Sequence, residues 1–140
     1  MKQIAYRQGY KYQLSESYEV LIPELAKQPA ITTEYISINN GLLSLKKGYA
    51  WDGPSGPTID TKTFMRGSLI HDALYQLLRE AYLPKEDRKT ADKVLRRMCL
   101  EDNMCFLRAN VVYLAVRLCA SFAANPASKK PVIYAPKIRA

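Results

Sequence analysis

One histidine, His71, serves all 140 residues, and that scarcity excludes more chemistry than any single motif admits. An H-E-x-x-H zinc protease, an HD-type phosphohydrolase and an HNH nuclease each need at least two histidines, as does a histidine-rich zinc site. The three cysteines, Cys99, Cys105 and Cys119, stand at no metal-ligand spacing and cannot all pair with one another, so reduced thiols are expected. Neither a G-x-S-x-G nucleophile elbow nor a G-x-x-x-x-G-K-[ST] phosphate loop occurs. Long apolar runs are missing as well. The most apolar segment, Phe106 to Ala124, is interrupted by Arg108, Asn110 and Arg117 and falls short of the ~20 clean residues of a spanning helix. The opening stretch, "MKQIAYRQGYKYQL", has no apolar core of signal-peptide length, so export by that route is not expected.

What is present is enough for a core, with an excess of positive charge. The apolar share of 48% and charged share of 24% are those of a folded globular domain. A chain of 140 residues fits one domain, 1–140, that buries a core without covalent staples. The formal charge is +8, from 21 Lys and Arg against 13 Asp and Glu, which favours an anionic partner: a phospholipid surface, an acidic protein or nucleic acid. Nucleic acid is the weakest of these, because no arginine-rich arm, zinc-finger spacing or RNA-binding aromatic signature accompanies the charge.

The character of the chain changes once, near "WDGPSGP". Residues 1–50 are rich in strand formers: "YKYQLSESYEVLI" carries aromatic and β-branched residues, and "YISINNGLLSL" sets Ile36 and Ile38 before an Asn-Gly turn and Leu43 and Leu45 after it. A hairpin is predicted there. Residues 51–62 read as a loop, and from 63 to 124 the apolar period becomes helical. Phe64, Ile70, Ala73, Leu74, Leu77 and Leu78 define a first helix over roughly 63–80. Pro84, Glu86 and Asp87 open a second, with Ala91, Leu95 and Met98 on its apolar side, that ends near Asp102. A third spans about 106–123, with Val112, Val116 and Cys119 spaced for burial. The tail, 125–140, reads as an extended arm on the surface or on a partner. Segregated strands and helices make the fold class α+β, with the first two helices packed antiparallel.

On the first helix His71 and Tyr75 are four residues apart and share a face with Ser68, while Asp72 borders the same stripe. Two readings stand. The strip is either one polar helix face whose histidine is satisfied by a neighbour or by water, or a general base with hard oxygen ligands nearby for a cation.

These residues also carry a resemblance. "HDALY" resembles the H-D-x-x-Y helix of secreted phospholipases A-two, the short bacterial and fungal ones above all. "WDGPSGP" resembles the D-G-x-S loop before that helix, and "RKTADKVLRRM" their second long helix, with an aspartate at Asp92. Order and spacing agree from Tyr49 to Met98, about a third of the chain. The resemblance implies a lipid or ester hydrolase in which His71 takes a proton from water and Asp92 fixes the imidazole tautomer, with the Tyr75 hydroxyl donated to Asp92. It implies a calcium ion held by Asp72, Asp52 and carbonyls of the loop from Trp51 to Gly56, with the Gly53 amide helping to hold the oxyanion. The sequence also departs from that family. Ser68 and Leu74 stand where disulfide cysteines are found, Pro54 and Pro57 replace a Gly-rich run, and a β-rich N-terminal part is added.

Over nearly the whole length, "Y-x-W-D-G-P-S-G-P" followed by "R-G-S-L-I-H-D-A-L-Y" is similar to a family of small uncharacterised proteins of tailed phages and prophages. That likeness implies a bacterial host cytoplasm or a virion as the location, and a virion or host protein as partner. It leaves a non-enzymatic structural or host-directed role as the alternative. Three further features stay double. Trp51 anchors the turn or meets lipid; Lys89, Lys93, Arg96 and Arg97 form a solvated basic face or a lipid-headgroup contact; the third helix is core or an interfacial element.

Overall fold

The Asn40-Gly41 pair closes its hairpin in two residues because both take positive φ, 49° and 82°, the pair of values that matches the twist of the flanking strands. Gly41 is also held by space: a Cβ there would lie 2.7 Å from the carbonyl oxygen of Ile22. The protein is described by a computed structural model at residues 4–6, 12–53, 62–119, 124–126 and 133–135. In chain order the strands are β1 (Ile4–Tyr6), β2 (Tyr12–Gln13), β3 (Tyr18–Leu21), β4 (Ile31–Thr32), β5 (Ile36–Asn39), β6 (Leu42–Leu45) and β7 (Ala50–Trp51). Then come helices α1 (Lys62–Arg79), α2 (Asp87–Glu101) and α3 (Phe106–Cys119), and a last strand β8 (Ile133–Ala135). The class is α+β, as the sequence indicates.

β3, β6, β5 and β4 form an antiparallel sheet in that order. Ile36 lies opposite Leu45 and Ile38 opposite Leu43, and all four are buried on one face. Alternation therefore sets the register, since a one-residue slip would turn these side chains to solvent. β2 pairs with β7, which lies in the chain between the sheet and α1. The tail is not wholly a free arm: β8 pairs antiparallel with β1, Ile4 opposite Ala135. The remainder of the tail expected at 125–140, apart from residues 125 and 126, and most of the loop expected at 51–62 lie outside the described residues.

α1 and α2 each end on a left-handed residue, Ala81 (φ 60°) and Asn103 (φ 69°). The amides of Tyr82 and Met104 reach back to the carbonyls of Leu77 and Cys99 at 2.9 Å, which closes both helices in the Schellman manner. The two helices pack antiparallel, and Gly67 sets their approach. A Cβ on it would stand 3.0 Å from Leu95 Cδ1 and 3.1 Å from Cys99 Sγ. Arg66 locks one end, its guanidinium donating to Asp102, Glu101 and the Tyr18 hydroxyl. α3 lies antiparallel on α2, where Arg88 donates to the carbonyls of Val116 and Arg117 in its last turn. The main core joins the sheet to α1, and a second cluster of Phe64, Leu95, Cys99, Met104, Ala109 and Val112 joins the three helices. Val116 is half-buried beside that cluster. Cys99 and Cys105 are free thiols. Residues 120–123 of the expected third helix and the Cys119 side chain lie outside the described residues.

Candidate functional site

His71 and Tyr75 lie one turn apart on the face of α1 turned to α2, and Asp92 comes up to meet both. His71 Nε2 is 2.8 Å from Asp92 Oδ1, and the Tyr75 hydroxyl donates to the same oxygen at 2.6 Å. The imidazole and phenol rings stack at 4.0 Å between centroids. Arg117, from α3, donates to Asp92 Oδ2 at 2.8 Å. Asp92 is wholly buried. Burial alone would raise the pKa of its carboxyl, but hydrogen bonds from His71, Tyr75 and Arg117 outweigh that and hold it below the usual carboxylate value. Burial and the bond to Asp92 push the Tyr75 phenol up, so it keeps its proton and stays a donor.

An ionised Asp92 decides the state of the imidazole. A carboxylate accepts only, so the ring must donate Nε2–H to it, and a neutral ring then carries its lone pair on Nδ1. That arrangement can abstract a proton from a water placed at Nδ1. It can equally stand as a buried polar tie, since His71 is only 8% exposed.

The other expected site residues fall around this cluster in different ways. Ser68, at the position of the phospholipase cysteine, is buried; its hydroxyl donates to the Met65 carbonyl and accepts from Trp51 Nε1 at 3.3 Å. The one tryptophan is thus a buried anchor that ties β7 to α1 and packs on Tyr12 at 5.5 Å between centroids. Gly53 follows β7 at φ 77°, and a Cβ there would lie 2.5 Å from the Tyr12 ring, so only glycine fits. Asp52 is exposed and Asp72 half-buried. Among the described residues no group of three or more His, Cys, Asp or Glu side chains is placed to hold a metal ion. Calcium takes six to eight oxygens, carbonyls among them, and residues 54–56 of the loop expected to supply carbonyls lie outside the described residues.

The basic face of α2 divides. Arg96 turns to α3, donating to Asn110 at 2.7 Å and lying over the Phe106 ring, whereas Arg97 pairs with Glu24. Lys89 and Lys93 stay exposed. α3 is core on one side only. Ala109 and Val112 are buried, but Leu107, Val111, Leu114 and Leu118 are from 57% to 81% exposed. No motif in the sequence marks Arg117, Arg66 or Gly67 as site or packing residues. Only the charge of the arginines and the glycine inside an apolar helical period could have marked them.

No helix among the described residues is long and apolar enough to cross a membrane. No curated protein and no solved structure matches the chain. A family match runs from β4 into α3 and takes in every residue of the cluster except Arg117. The chain belongs to DUF1353, a family of proteins of unknown function, which it matches over residues 30–116.

Proposed function

We propose that the chain is a hydrolase of carboxylic esters, lipid esters among them, with His71 as general base. The observation that carries this reading is the 2.8 Å contact between His71 Nε2 and a fully buried, ionised Asp92. Asp92 fixes the tautomer, Tyr75 and Arg117 keep Asp92 ionised and aligned, and Nδ1 takes the proton of the attacking water. The Gly53 amide is the candidate donor to the oxyanion. Asp52 and Asp72 are the candidate oxygen ligands of a calcium ion, and no step of the water activation is routed through it.

A second reading has its own observation. Arg117 brings α3 into the cluster, so Asp92 ties three helices together, which is what a non-enzymatic phage or host-directed protein needs from the same residues. His71→Asn separates the two, because asparagine is polar and close in size but is no base at neutral pH. Hydrolysis of p-nitrophenyl esters and phospholipid vesicles, with calcium and with chelator, should fall about 100-fold or more per folded molecule, whatever melting temperature is lost with the bond to Asp92. A variant that melts several degrees lower yet hydrolyses normally per folded molecule, or a wild type inactive in every condition, leaves the structural reading.

A further inference from the structure

Leu107, Val111, Leu114 and Leu118 follow one another at steps of four, three and four residues, so they form a single stripe along α3, about 16 Å long at 1.5 Å per residue. The stripe points away from Ala109 and Val112, which are buried against the second cluster. A helix apolar on both sides is normally covered on both. Charge indicates what covers this one. Arg108 borders the stripe on one side; on the other, across Arg96 and Asn110, α2 presents Lys89 and Lys93, both exposed. No acidic residue follows Asp102, and residues 103–140 hold Arg108, Arg117, Lys129, Lys130, Lys137 and Arg139, six of the eight net positive charges.

We propose that the outer face of α3, with Lys89 and Lys93 beside it, docks the protein peripherally on anionic lipid bilayers. An exposed apolar ridge bordered by basic side chains lies in the interface plane, the ridge among acyl chains and the cations among headgroups. A second copy of the chain fits less well, because pairing two α3 faces brings Arg108 and its basic neighbours against their own kind. An acidic helix of another protein would need charge pairs of fixed geometry along the stripe, and Arg96 and Arg117 are already committed to Asn110 and Asp92. A diffuse anionic surface requires no such geometry. The inference stands apart from the hydrolase reading.

Sedimentation with ether-linked vesicles tests it without interference, since these lipids contain no ester to cleave. The protein should bind dialkyl phosphatidylcholine mixed with dialkyl phosphatidylglycerol, release as salt rises, and ignore phosphatidylcholine alone. Leu114→Ser with Leu118→Ser should weaken binding at least about ten-fold with an unchanged melting temperature, as both positions are already in solvent. Lys89→Glu with Lys93→Glu should weaken it by roughly five-fold or more per lysine, and decides the matter if the leucine variant fails to fold. Absence of wild-type binding to the mixed vesicles, or folded variants that bind as well as wild type, overturns the proposal. So does a wild-type dimer, indifferent to vesicles, that the leucine changes dissociate. Binding to an acidic amphipathic helical peptide in place of vesicles would assign the face to a protein.

Discussion

Asp92 concentrates the energetics of the helical half in one side chain. Its carboxylate is out of water, and three donors from two other helices offset that desolvation. Asp92→Asn keeps the shape but removes the charge and presents an amide N–H₂ to groups that are themselves donors. The expected loss is roughly 2–4 kcal/mol in urea unfolding, below the cost of a fully sealed charge because Arg117 is partly in solvent and can turn to water. A loss under 0.5 kcal/mol would mean that the four groups do not act as one cluster.

Each helix boundary follows from local chemistry and carries its own strain. The α1 terminus places Ala81 in the left-handed region at φ 60°, where a Cβ meets the following carbonyl. Ala81 is exposed, so a change there disturbs no packing. Ala81→Gly should therefore stabilise the protein by about 0.5–1 kcal/mol despite the greater freedom glycine gives the unfolded chain, visible as a rise of a few degrees in melting temperature. A fall in stability would show that the chain does not end α1 in this way. The contact between α1 and α2 is the opposite case. Gly67 is needed because the side chains of Leu95 and Cys99 pass within 3.1 Å of where a Cβ would be.

Across the whole molecule the cluster predicts a stability plateau with two edges. The Asp92 carboxyl has a folded pKa below its unfolded value, so its contribution is complete above about pH 4 and disappears as pH falls through the depressed folded value. The Tyr75 phenol has a raised folded pKa, so its contribution is complete below about pH 10 and is lost as pH rises beyond that. Urea unfolding across the pH range should show a flat region between the two edges. In Tyr75→Phe the alkaline edge should weaken while the acid edge persists, and an unchanged alkaline edge would remove Tyr75 from the account.

Features set by neighbours in the chain were legible as residues alone. The Asn40-Gly41 hairpin, the three helical periods and the shared face of His71 and Tyr75 each depend on spacings of two to four residues, and such spacings act before any tertiary contact forms. Asp92 could be placed beside His71 only through resemblance to the phospholipase helix pair, since residues 21 apart meet only once two helices have packed. Folding of the third helix brought Arg117 to Asp92, and chain closure brought β8 to β1; neither partner is marked by any local pattern. The same limit holds for α3. Spacing marked Val112, Val116 and Cys119 for burial, and Val112 is buried, but apolar residues occupy the other side as well, and only packing on α2 left Leu107, Val111, Leu114 and Leu118 facing out. Local spacing specifies which faces a helix has, whereas burial, and with it the buried charge of Asp92, depends on what the rest of the chain brings against them.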